Sequence, residues 1–159
     1  MDEHLRYLID NDRILGDYDP AKVSGLPPEW FRTRWIDVID FRGDLQIRAT
    51  NTLFGRHIRI LTASHSIIYG APSPGMIKKH VWIDKDTFIG SYSLLYNCHI
   101  GEGAVVSCGS VVSNIIVPPH TLVEGNPARI IGRFENGLWN RVDSPEFIGV
   151  TGLGMRYWK

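Results

Sequence analysis

The sequence predicts an all-β fold, a parallel β-helix built from hexapeptide repeats, and three observations carry that prediction. From Val81 onward a branched apolar residue recurs every six positions, as Ile83, Ile89, Leu95, Ile100, Val106 and Val112, with a single step of five between Leu95 and Ile100. Two places before each stands a small or β-branched residue: Val81, Thr87, Ser93, Cys98, Ala104 and Ser110. Gly90, Gly101, Gly103 and Gly109 fall in or beside the intervening turns, where a residue without Cβ is favoured. Each six-residue unit then makes one short strand and one turn, and three units close a triangular coil too narrow for large side chains. The five-residue step should tighten one turn.

The elements follow in chain order. "YLIDNDRILG" (7–16) reads as a short helix, followed by a loop marked by Pro20, Gly25, Pro27 and Pro28. The coil is expected to start near residue 36, which leaves 1–35 as an N-terminal segment of one 159-residue domain. Ile47, Phe54 and Ile60 step by seven and then six, with Thr52 and Ile58 in the second inward positions. In "RILTASHSIIYG" (59–70) the apolar alternation gives way to Thr62, Ser64 and His65, and the pattern lapses until Val81. The Gly and Pro content there predicts a protruding loop over 66–79, opening at His65. After Val112, "VPPHTLVEGNPARIIGRF" ends the repeats, and the aromatic, Gly-rich 135–159 reads as a capping tail on a β-helix spanning 36–134.

Composition narrows the functional classes. Lys plus Arg and Asp plus Glu both number 17, so no global field favours nucleic acid or an anionic membrane. Cys98 and Cys108 form neither a CxxC pair nor part of a zinc spacing, and are expected as free thiols in a reducing compartment. The first 20 residues carry six acids against two bases, unlike a secretory leader, and no stretch approaches the roughly 18 apolar residues of a spanning helix. A soluble cytoplasmic protein without membrane insertion is expected.

The stretch "IGEGAVVSCGSVVSNIIVPPHTLVEGNPARII" resembles the C-terminal half of hexapeptide-repeat acyltransferases, most nearly the sugar O-acetyltransferases of the maltose, galactoside and nodulation-factor type. The likeness covers roughly 45–134, and the order "GSVV", "VPP", "GNPAR" is more specific than any single hexapeptide. It implies a left-handed parallel β-helix, a homotrimer, and acetyl-CoA as acyl donor bound between neighbouring subunits, with no metal. Counting back from "GSVV" puts the family's "VWIGS" motif on Thr87–Ser91, with Phe88 in place of its Trp.

The resemblance also assigns roles. His65 falls on the family's catalytic histidine, and a neutral imidazole can take a proton from an attacking hydroxyl. Ser91 matches the serine that helps hold the thioester oxygen, where fixed donors stabilise developing charge. Cys108, Ser113 and Asn114 match positions near the pantetheine arm, the family often carrying Lys at the last. Arg129 matches a phosphate contact and Arg133 lies one residue beyond another. Trp30, Trp35, Trp139 and Trp158 are expected to pack the chain ends rather than stack on a sugar.

Together these imply acetyl transfer from acetyl-CoA to a hydroxyl of a small carbohydrate or nucleotide-sugar. The alternatives are an amino-sugar N-acetyltransferase with the same fold and donor, a γ-carbonic-anhydrase-like zinc enzyme, and a non-catalytic scaffold. The zinc reading needs three convergent histidines and an H-x₄-H pair that the sequence lacks. The scaffold reading leaves the loop after His65 and the Arg129 landmark without a purpose.

Overall fold

Successive six-residue units stack in parallel, each strand lying on the one a full turn earlier. The computed structural model describes residues 13–24, 36–48, 50–66 and 75–147. Among these there is no α-helix. One face of the coil stacks β5 (Leu53–Phe54), β10 (Phe88–Ile89), β12 (Val105–Val106) and β14 (Thr121–Gly125). The next carries β3 (Ile36–Asp40), β6 (Ile58–Leu61) and the first halves of β11 (Leu94–Ile100) and β13 (Val111–Val117). The third carries β4 (Asp44–Arg48), β9 (His80–Ile83) and the second halves of β11 and β13. Leu95 pairs with Val112 and Phe88 with Val105, each seventeen residues ahead, so one turn is a hexapeptide triplet shortened by one.

That shortening sits at Asn97 and Asn114. Their φ angles of 47° and 57° turn β11 and β13 through a corner in mid-strand, and Asn is among the few side chains that adopt the left-handed region readily. The Asn97 Nδ2 donates to Asn114 Oδ1 at 2.8 Å, tying one turn to the next. At another corner Gly90 is required, because a Cβ there would lie 2.5 Å from the Cys108 backbone nitrogen.

All twelve inward positions read between Val81 and Val112 are buried, including the polar Thr87, Ser93 and Ser110. The hydroxyls remain satisfied: Ser93 donates to the Gly90 carbonyl at 2.7 Å and Thr87 to the Asp84 carbonyl at 3.2 Å. The repeats run further than the two prolines suggest, with Ile115, Val117, Thr121 and Val123 also buried in register.

The two ends depart from the sequence reading in detail. Of the helix expected over 7–16, residues 7–12 lie outside the described residues, and β1 (Ile14–Leu15) is a strand pairing in parallel with Ile39 and Asp40. A sheet edge that buries Ile14 outweighs a weak local helical pattern. After a 3₁₀ turn at Pro20–Lys22, capped by Asp19, β2 (Val23–Ser24) pairs in parallel with Ile47 and Arg48. The coil sheet therefore recruits strands upstream of residue 36. At the other end β15 (Ala128–Glu135) folds back antiparallel on β14, and β16 (Leu138–Phe147) antiparallel on β15. Phe134 packs against Trp139, with ring centroids 5.2 Å apart.

The expected loop opens as an antiparallel ribbon. β7 (Ala63–Ser66) pairs with β8 (Gly75–Lys78), so part of 66–79 is strand, and 67–74 lie outside the described residues.

Candidate functional site

The ribbon leaves the coil at the corner that Asn97 and Asn114 occupy in the turns above it. Chain departs at Thr62 and returns at Lys79, whose N–H donates to the Thr62 carbonyl at 2.7 Å. Asp40, buried completely, anchors this base. Its carboxylate accepts from the Thr62 and Ala63 amides at 3.1 Å each, and from Arg42 Nε and Nη2 at 2.9 and 3.0 Å. Thr62 Oγ1 donates back to the Asp40 carbonyl and accepts from the Gly43 amide, both at 2.9 Å. Burial pushes the Asp40 carboxyl up, but the hydrogen bonds from Arg42 and Thr62 and the guanidinium charge outweigh it and hold the group below the usual carboxylate range. A Cβ on Gly43 would come within 2.1 Å of the Thr62 carbonyl oxygen, so the base also needs a glycine there. His65 lies on this ribbon, in register with Met76, and Lys78 pairs with Ala63.

Beside the ribbon base is a cleft of about 540 Å³, lined among others by Lys22, Arg42, Lys78, Lys79, His80 and Asn97. Asn97 is 1% exposed, and its Oδ1 accepts no hydrogen bond among the described residues. Its orientation is fixed from behind, since Asn114 accepts its amide N–H and in turn donates from Nδ2 to Ser113 Oγ at 3.2 Å. Ser113 and Asn114 thus share a corner with the ribbon.

Ser91 and Cys108 occupy a different corner, between the first and second faces. They stack one turn apart, with the Gly109 amide donating to the Ser91 carbonyl at 2.8 Å. Ser91 Oγ accepts the Arg56 N–H at 2.9 Å, which leaves its own hydroxyl proton to donate. Cys108 is exposed, whereas Cys98 is buried in the core and its thiol is pushed up to about 12 by burial. Tyr92, beside Ser91, stacks on His57 with ring centroids 5.0 Å apart. Within one chain, then, the predicted residues other than the arginines fall into two groups on two corners.

The arginines lie on the cap. Arg129 pairs in register with Glu124 and Phe147, and has no ion-pair partner among the described residues. Arg133 is held by Glu146, with Nη1 donating to Oε1 at 3.2 Å and Nη2 to Oε2. A phosphate at Arg133 would have to displace that exposed carboxylate.

No protein-family model matches the sequence. A provisionally named acetyltransferase of Schizosaccharomyces pombe is 33% identical over 93 residues, covering 54% of this chain and 42% of that protein. Another, of Staphylococcus aureus (strain COL), is 35% identical over 79 residues, 48% of this chain and 39% of that protein. By sequence, the coil resembles acetyltransferases. The chain spans about two-fifths of the length of these curated relatives. A solved hexapeptide-repeat acetyltransferase of Vibrio cholerae O1 biovar eltor, complexed with acetyl-CoA, is 29% identical, with 86% of this chain and 80% of that one covered and a TM-score of 0.49.

In this acetyltransferase-like coil, residues beyond those expected from sequence shape the ribbon corner. Asp40 and Arg42 stand in "VIDFRGD", where a carboxylate directly follows buried Ile39 and an arginine stands two places on. That pairing of opposite charges beside a glycine was the available signal. Asn97 coincides with the five-residue step, but Lys22 comes from a segment without repeat register, and nothing in its sequence context marks it.

Proposed function

We propose that this coil transfers acetyl from acetyl-CoA to a hydroxyl of a carbohydrate or nucleotide-sugar, as a homotrimer in a reducing, cytoplasmic setting, with His65 as general base. The observation that carries the reading is the ribbon bearing His65 leaving the coil at the corner shared by Asn97, Asn114 and Ser113, with Asn97 lining the adjacent cleft. Sequence similarity to proteins named as acetyltransferases supports the reaction class.

Acetyl-CoA, when bound, brings an activated thioester carbonyl. His65 removes the acceptor's hydroxyl proton as the oxygen bonds to that carbonyl carbon, which contributes roughly 10²–10⁴ in rate. Ser91 donates its hydroxyl proton toward the carbonyl oxygen as charge develops there, a proton left free because its oxygen acts as acceptor toward the Arg56 amide. When the carbon–sulfur bond breaks, the imidazolium of His65 returns its proton to the departing thiolate, and the enzyme is regenerated.

The split between two corners supports association. Ser91 and Cys108 of one chain meet the His65 ribbon only if a second chain brings its own ribbon corner alongside. An outward row of Leu53, Phe88, Val105 and Leu122 offers such a chain an apolar surface, Leu53 being 66% and Phe88 38% exposed. Arg129 on the cap is then available to a donor phosphate.

The test is release of free thiol from acetyl-CoA against a panel of sugars and amino-sugars, comparing the unaltered chain with His65→Ala. Acceptor-dependent release that falls at least about 10²-fold in the variant is expected. Equal release from both would overturn the assignment of His65, and a preference for amino-sugars would move the acceptor from oxygen to nitrogen.

A further inference from the structure

The cleft at the ribbon base carries more than a general sugar site requires. Lys22 and Lys78 line it, and neither has a carboxylate partner among the described residues; the Lys22 ammonium reaches only the Phe41 carbonyl, at 3.5 Å. Lys79 adds positive charge at the same wall, where Arg42 is ion-paired with buried Asp40. The single acid lining the cleft, Asp44, has both oxygens engaged, Oδ2 by the Trp82 indole N–H at 3.0 Å and Oδ1 by Gln46 Nε2 at 3.3 Å. Asn97 lines the same cleft, and its Oδ1 is a buried acceptor that accepts no hydrogen bond among the described residues while its amide N–H is held by Asn114, itself bonded to Ser113.

A ligand that satisfies both features has an anionic group and, next to it, a hydroxyl or N–H that donates. A neutral sugar leaves Lys22 and Lys78 without an anion, and a carboxylate with no hydroxyl beside it leaves the asparagine without a donor. We propose that the cleft binds an anionic polyol, a sugar acid or sugar phosphate, with its carboxylate or phosphate between Lys22 and Lys78 and a hydroxyl donating to Asn97 Oδ1. An adjoining lobe of about 580 Å³ shares Lys22, Arg42 and Lys78 and adds Tyr18 and Phe41, room for a further sugar unit. Asp17 and Asp19 line that lobe only, and Asp19 is engaged in capping the 3₁₀ turn. Since the cleft abuts the ribbon that carries His65, the anionic polyol is the acceptor of the reaction proposed above, and this step rests on that reading.

Binding and turnover separate the two claims. Titration calorimetry on the full chain without acetyl-CoA, using glucuronate, glucose 6-phosphate and glucose, is expected to give saturable binding of an anionic sugar and none of glucose. Lys78→Ala and Lys22→Ala should each weaken that binding by about tenfold. Asn97→Gly, which keeps the positive φ and removes the acceptor, should weaken it without abolishing the charge dependence. Equal affinity for glucose and glucuronate, or binding unchanged in both lysine variants, overturns the cleft proposal while leaving acetyl transfer standing. Displacement of the sugar by adenosine 3′,5′-bisphosphate would also overturn it, by assigning the cations to the donor's phosphates. Anionic sugar that binds as expected but never receives acetyl would sustain the cleft and overturn its assignment as the acceptor site.

Discussion

A single carboxylate, Asp40, decides how the ribbon is held. It gathers two backbone amides and the Arg42 guanidinium, and it does so with no solvent exposure. Its carboxyl is held below the usual range, so its contribution to stability is complete above the unfolded value of about 3.9 and is lost as pH falls toward the lower folded value. Asp40→Ala should lower stability by about 3 kcal/mol near neutrality, the lower end for breaking a buried pair because Arg42 keeps partial access to water. Thermal melts from pH 6 to pH 2 should then show a shallower acid limb in the variant than in the parent; parallel limbs would contradict the assignment. Sequence reading singled out His65 and passed over Asp40, because Asp40 and Arg42 before Gly43 look like any charged turn after a strand until Thr62, twenty-two residues away, is folded onto the carboxylate.

At the scale of the element, the five-residue step was legible and its cause was not. Leu95 and Ile100 are too close by one for a full hexapeptide, which signals a tightened corner; that Asn97 makes it by a positive φ, bonded to Asn114 a turn above, depends on contacts seventeen residues apart. Asn97→Val places a β-branched residue in that backbone and should cost about 1–3 kcal/mol. Asn97→Gly, free of the backbone strain, should cost less, and denaturant melts of the two variants check the order. The inward positions of the central repeats could be read directly because small and branched residues alternate there with a fixed period. β1 and β2 could not, since two residues carry no period and their pairing partners lie more than twenty residues away. The ribbon was legible as a departure from the coil but not as paired strands, because Gly70, Pro72, Pro74 and Gly75 interrupt any alternating pattern between 66 and 79.

For the whole molecule, the coil explains why the candidate site residues within it, far apart in sequence, form two sets, with Arg129 and Arg133 apart from both on the cap. Ser91 and Cys108 are one turn apart on one corner; the His65 ribbon, Ser113 and Asn114 share another. The motif order that relates this chain to acetyltransferases is a property of sequence, whereas the division into two corners is a property of the coil, and the proposed association rests on the second. An account in which the site is completed between chains predicts that defects on opposite corners complement. The most direct measurement mixes two purified variants, His65→Ala and Cys108→Trp, the latter filling an exposed position beside the expected pantetheine path, after confirming that each folds and that subunits exchange. Each alone is expected to release little thiol from acetyl-CoA, and the mixture to recover acceptor-dependent release, because some sites then pair an intact ribbon with an intact Cys108 corner. A mixture no more active than its components, with exchange demonstrated, would contradict the shared site.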